Sequence, residues 1–187
     1  MKNISLILST INKYAGYFCA SLVVLMTINV FLVVVLRYLF GTIFLLPIII
    51  NSFRGIQIKL MNKFVLRSFF HAIGVSLWFY SMTVITIAEV TAIGYLTPIF
   101  VCIGAMIFFR ENIKGFRAFA ITLSFIGAMI ILRPGFQEIK LGQYSMLLAA
   151  FVFSFSYLMV KYLAETKSSL EIVGYLSLFT TIFLTPL

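Results

Sequence analysis

Long apolar runs alternate with short polar connections over the whole length of this chain. A helix crossing the hydrocarbon core of a bilayer needs about 20 apolar residues. On that measure spans are predicted at 16–30, 31–50, 69–88, 90–109, 116–133, 142–160 and 171–187. The expected fold class is therefore an all-α integral membrane protein of about seven transmembrane helices. The run Ser21 to Ile50 is interrupted only by Asn29 and Arg37 and is long for one ordinary helix. Two helices there would need a turn, and Thr27-Ile28-Asn29 is the place for it. The apolar stretch from Ala15 is too long for the core of a cleaved leader and lacks a small-x-small cleavage pattern, so it is expected to stay as a span.

Two of these segments are nearly the same text. Leu39-Phe40-Gly41-Thr42-Ile43-Phe44-Leu45-Leu46-Pro47 matches Leu178-Phe179-Thr180-Thr181-Ile182-Phe183-Leu184-Thr185-Pro186 at seven of nine places, 139 positions apart. Apolar segments draw on few residue types, so chance is one reading. The other is an internal repeat. Its unit of five spans is odd, so the second copy would cross the bilayer inverted, an arrangement that builds solute sites at the midplane of many secondary transporters. The copies are unequal. Gly142 and Leu178 are 36 positions apart and enclose the polar stretch Lys161 to Glu171, whereas Gly16 and Leu39 are 23 apart with no polar stretch between them. The expected units are 15–134, a first repeat with a shortened opening hairpin, and 141–187, a second repeat with two spans where the first has five.

Composition supports the membrane assignment. Hydrophobic residues make up 63% of the chain and charged ones 10%, with a mean hydropathy of +1.14. Soluble domains are about half apolar and a quarter charged. The net charge of +9 comes with no aspartate and five glutamates. Its placement speaks for topology and against a nucleic-acid partner. Lys2, Lys13, Arg54, Lys59, Lys63, Arg67, Arg110, Lys114, Arg117, Lys161 and Lys167 fall on alternate connections, leaving only Arg133 and Lys140 on the opposite set. The positive-inside rule then puts the rich connections and the N-terminus in the cytoplasm, provided 16–50 holds two spans. Cys19 and Cys102 lie in apolar segments without partner motifs and read as buried or lipid-facing thiols, with no disulfide or metal site expected.

The stretch 78–134 carries the most specific pattern. It runs Trp78-Phe79-Tyr80, Ala88-Glu89-Val90-Thr91-Ala92, Leu96-Thr97-Pro98-Ile99-Phe100, Phe108-Phe109-Arg110-Glu111, Gly115, Phe125-Ile126-Gly127-Ala128 and Arg133-Pro134. This resembles the first EamA repeat of the drug/metabolite transporter superfamily. Arg37-Tyr38 is similar to the Arg-aromatic pair of that family's second span, and 142–161 to the start of a second EamA repeat. The aromatic third span resembles the S-adenosylmethionine uptake branch. The resemblance implies a bacterial inner-membrane carrier of small metabolites working by alternating access, with no cofactor. The rival expectation is an inactive truncated remnant or a membrane scaffold, because three spans of the second repeat are missing. A homodimer would restore the missing wall.

Physical readings accompany the resemblance. Pro98 removes an amide donor and should kink or open its helix, either as a packing feature or beside a cavity. Glu89 sits at the external mouth, as a solvated turn residue or facing the cavity, with Thr91 two residues on. Trp78, Tyr80, Tyr95 and Tyr157 are packing or interfacial aromatics, or a cavity lining able to hold an ammonium or sulfonium by cation–π attraction. The substrate-binding candidates are accordingly Trp78, Tyr80, Glu89, Thr91, Tyr95, Pro98 and Tyr157. Glu111 is expected to tie the turn between the fourth and fifth spans, Gly104 and Gly127 to let helices approach closely, and His71 to sit near the cytoplasmic interface. No paired histidines, HExxH, nucleophile–base set or phosphate-cradling glycine loop is present, so an enzyme is not expected.

Overall fold

The computed structural model describes residues 2–53, 55–112, 115–132 and 140–185. Seven helices are described: α1 Lys2–Phe53, α2 Ile58–Val84, α3 Ile87–Gly94, α4 Thr97–Phe109, α5 Gly115–Leu132, α6 Leu141–Ala164 and α7 Ser169–Leu184. The chain divides into two units, 1–34 and 35–187. In the first, Lys13, Tyr14, Tyr17, Ser21, Leu25 and Asn29 are exposed.

The backbone is helical through 27–29, so the turn expected in the run 16–50 is absent. The residues explain this. No glycine or proline lies between Tyr17 and Phe40, and the one polar side chain that could seed a turn, Asn29, donates to the Leu25 carbonyl one helical turn back, 2.8 Å away. An amide bonded to its own helix gives no reason to leave it. The charge-based placement of the N-terminus depended on that turn. The grouping of the later basic connections does not.

In the second unit α2 and α6 form the central pair, with α7, α3 and α4 packed around them. α2 has 27 residues, about 40 Å at 1.5 Å per residue, enough to cross a bilayer. The pair is antiparallel: Lys63 lies over the Tyr162 ring, Gly74 meets Phe153, and Gly142 meets Val84 and Ile85. Glycines let α6 close on α2 at Gly74 and on α4 at Gly104. A Cβ at Gly74 would lie 2.8 Å from the Phe153 ring, and one at Gly104 only 2.3 Å from Leu158 Cδ1. The second expected small-residue contact is not formed, since nothing lies within 4 Å of a Cβ at Gly127. α5 faces outward there.

The predicted fourth span is broken. α3 and α4 together cover 87–109, but Tyr95 and Leu96 separate them. Pro98 occupies the first turn of α4 and has no amide to return to the Gly94 carbonyl, so the ladder shifts there to short-range bonds such as Leu96 N–H to Ile93 O at 2.9 Å.

The last span of α1 and α7 also run antiparallel. Gly41 abuts Ser177, Gly174 abuts Leu45 and Ile49, and Ser52 donates to Glu171. The stretch 41–52 of α1 thus lies along 171–177 of α7, so the first nine-residue copy, 39–47, faces the residues just before the second one, 178–186.

Two apolar clusters hold this unit. One joins Ile85, Val90, Ile93, Leu96, Ala128, Met146 and Ala149 at the end of α2. The other joins Ile49, Phe64, Leu163, Ile172 and Tyr175 near the opposite end.

Candidate functional site

Between the two clusters lies a layer of ionisable groups. Tyr38 on α1 and His71 on α2 are joined by a hydrogen bond of 2.8 Å between the phenol oxygen and Nε2. One turn before His71, Arg67 is 5% exposed and donates from Nη1 to the Ile172 carbonyl of α7 at 2.9 Å. The Arg37 guanidinium lies 5.2 Å from the centre of the Tyr38 ring. Tyr157 on α6 stacks on Phe153, which in turn packs against the His71 ring. Three helices, α1, α2 and α6, thus place two arginines, a histidine and two tyrosines in one layer. The layer opens outward at Arg37 and Tyr157, which are exposed, while Tyr38 and Arg67 are buried.

Ionisable groups inside a bundle of spans are costly, and they mark solute or ion paths where they occur. The grooves elsewhere on the surface have a different character. One between α2, α4 and α6 is lined by Leu66, Phe70, Phe109 and Phe155 among others and is apolar, as a lipid-facing crevice would be.

Two of these residues sit elsewhere than expected. Arg67 was counted among loop charges and His71 was placed at the interface, because the third span was predicted to begin at 69. α2 begins eleven residues earlier, at Ile58. Lys59 and Lys63 do not stop it, since Lys63 lays its ammonium over the Tyr162 ring 3.4 Å from its centre. Arg67 and His71 therefore stand one turn apart inside the helix. Their four-residue spacing was visible in the sequence, and with Phe64 three residues earlier it marks one face.

The seven expected substrate contacts are dispersed. Tyr157 belongs to the polar layer. Trp78 packs edge-on against Phe79, ring centres 5.1 Å apart, beside the apolar cluster of Ile85 and Val90. Tyr80 is exposed, and two residues along a helix point it well away from Trp78. Thr91 returns its hydroxyl to the Ile87 carbonyl. Tyr95 and Pro98 are exposed at the α3–α4 break. Glu89 is the third residue of α3, where it forms a reciprocal cap with Thr86 and accepts from Gln143 Nε2 at 2.7 Å.

At the other end of the bundle Glu111 reaches across to Lys161 of α6. Arg110 takes a left-handed conformation, φ 52°, and ends α4. Glu171 caps α7 with Ser168 and binds Lys167 at 2.9 Å and Ser52. The thiol of Cys102 is free and partly buried, while the side chain of Cys19 lies outside the described residues. Among the described residues no three His, Cys, Asp or Glu gather to hold a metal ion.

These features define a polytopic helical membrane protein with a polar layer inside its bundle. The chain belongs to the EamA-like transporter family, which matches residues 1–133. It is similar to a riboflavin transporter of Vibrio cholerae, 30% identical over 154 residues, covering 81% of this chain and 52% of that protein. A riboflavin transporter of Brucella anthropi is 27% identical over 146 residues, 78% of this chain and 51% of the other. An S-adenosylmethionine uptake transporter of Rickettsia prowazekii is 25% identical over 185 residues, 98% of this chain and 61% of the other. The chain thus spans between half and about three-fifths of the length of these relatives. No solved structure matches it.

Proposed function

We propose that the chain carries a small organic metabolite across a bacterial inner membrane by alternating access between two inverted repeats, 15–134 and 141–187. The observation that supports this most directly is the polar layer, which gives a family of carriers a midplane point of attachment in this chain. S-Adenosylmethionine is the first solute to consider. The relative named for its uptake aligns with nearly the whole chain, and the exposed aromatic Tyr157 beside the layer suits a sulfonium. Riboflavin is the second, after the relatives named for it.

The basic connections gather at one end of the bundle, where Lys63 meets Tyr162, Lys161 meets Glu111 and Lys167 meets Ser52. That end faces the cytoplasm in this reading. In this reading the opposite mouth lies at Glu89, Thr91, Tyr95 and Pro98. A second copy of the chain would supply the helices that the longer relatives have in addition.

The test is uptake of radiolabelled S-adenosylmethionine and riboflavin by cells whose membranes contain the chain, with native mass giving its copy number. Accumulation above vector controls supports the reading. No accumulation of either, with the protein present in the membrane, supports an inactive remnant or scaffold.

A further inference from the structure

Arg67 has more hydrogen-bonding capacity than the bundle uses. Its Nη1 serves the Ile172 carbonyl, but its buried Nε has no partner. Beside it in the same helix, the buried hydroxyl of Ser68 and the Nδ1 of His71 are unpaired as well. His71 is fixed from the other side, where Nε2 meets the Tyr38 phenol. Among the described residues the ion pairs are Lys161 with Glu111 and Lys167 with Glu171, and Arg67 is in neither. Arg37, over the Tyr38 ring, adds a second positive charge to the layer.

A guanidinium buried inside a membrane bundle without an acid is an expensive arrangement if its purpose is packing. The ionisable side chains of the layer are two arginines, a histidine and two tyrosines, with no acid among them, so the charge the site lacks is a negative one. Guanidinium geometry favours a planar, two-oxygen acceptor, which it binds through two parallel N–H bonds. Arg37 and Tyr157 are exposed at the edge of the layer, the side from which such a group would approach.

We propose that Arg67, with the unpaired groups of Ser68 and His71, binds the carboxylate of the carried solute. This rests on the transport reading and narrows it. The solute bears a carboxylate near an apolar or aromatic body, and riboflavin, which has none, is a poor fit. Tyr38 acts as a positioning residue that holds His71.

The test uses the full chain in lipid nanodiscs and reads thermal stabilisation and equilibrium binding with paired probes. These are methionine against methioninamide and S-adenosylmethionine against its decarboxylated form. The wild-type chain is expected to prefer the carboxylate member of each pair. In Arg67→Gln the preferred probe binds about tenfold more weakly or worse and the preference within the pair disappears, the loss of a charge-assisted contact. Arg67→Lys keeps the preference with reduced affinity. The wild-type comparison needs no variant, so a failure of Arg67→Gln to fold leaves the proposal testable. The proposal is overturned if no carboxylate probe binds the wild type better than its carboxylate-free partner, or if Arg67→Gln binds as the wild type does. Uptake of S-adenosylmethionine combined with unchanged binding in Arg67→Gln sinks this inference and leaves transport standing. Carboxylate-selective binding without any uptake does the reverse.

Discussion

The two halves of α2 follow different rules. Its last turns, with Phe79 and Ser81 buried, lead into the cluster of Ile85, Val90, Ile93, Leu96 and Met146, where side chains fill space and glycines set the distance between helices. Two to four turns earlier the same helix carries Arg67, Ser68 and His71, buried or half-buried with atoms left unpaired. In lipid the apolar half gains little from the hydrophobic effect, because the surrounding tails are as apolar as its own side chains, and it is held by packing. The polar half costs stability and gives the bundle a place where something charged can bind. One helix thus combines a region optimised for packing with one that sacrifices it.

That contrast can be broken most strongly at Arg67. If its charge is there for a ligand, Arg67→Met removes an uncompensated buried cation and raises the stability of the ligand-free protein by about 1–4 kcal/mol, read by thermal or denaturant unfolding in detergent micelles. A loss of stability of that size would instead mean that the bond to Ile172 makes Arg67 a packing element like those of the other half. On the apolar side, Ile93→Ala should lower stability by about 2 kcal/mol. That is the low end for a buried isoleucine truncation, since lipid removes most of the transfer contribution and leaves the packing loss. Tyr38→Phe keeps the ring and deletes one hydrogen bond to His71, for about 1 kcal/mol or less, and its larger consequence should be weaker solute binding through a freed imidazole. The smallest effect is expected from Lys161→Ala. Its ion pair with Glu111 is 41% exposed on both sides, and pairs of that kind contribute about 0.2–1 kcal/mol in unfolding measurements.

The apolar half was easier to read in advance. Runs of leucine, isoleucine, valine and phenylalanine marked α5, α6 and α7 to within a few residues and the stretch 87–109 as one span, in which Pro98 announced the break before α4. The start of α2 was misplaced because Lys59, Lys63 and Arg67 read as loop. A lysine can lay its chain along a helix and set its charge over a neighbouring ring, so a basic residue near a span end does not fix where the helix begins. The turn in 16–50 was inferred from length alone, and length does not break a helix that has no glycine, no proline and a self-satisfied asparagine.

The sequence by itself determined that this is a helical membrane protein of the EamA-like kind, because hydropathy and motif are properties of short segments. It also contained the matching pair 39–47 and 178–186. Only the tertiary structure showed that the helices carrying them, α1 and α7, run antiparallel, Gly41 against Ser177 and Ser52 against Glu171. It alone brought Arg37, Tyr38, Arg67, His71 and Tyr157 into one layer. The physical reason is that helical periodicity fixes which face a residue occupies on its own helix, whereas the partner of that face is chosen by packing between helices distant in sequence. Glycines at 74, 104 and 142 let those helices close to contact, and that closure decides which polar groups end up together.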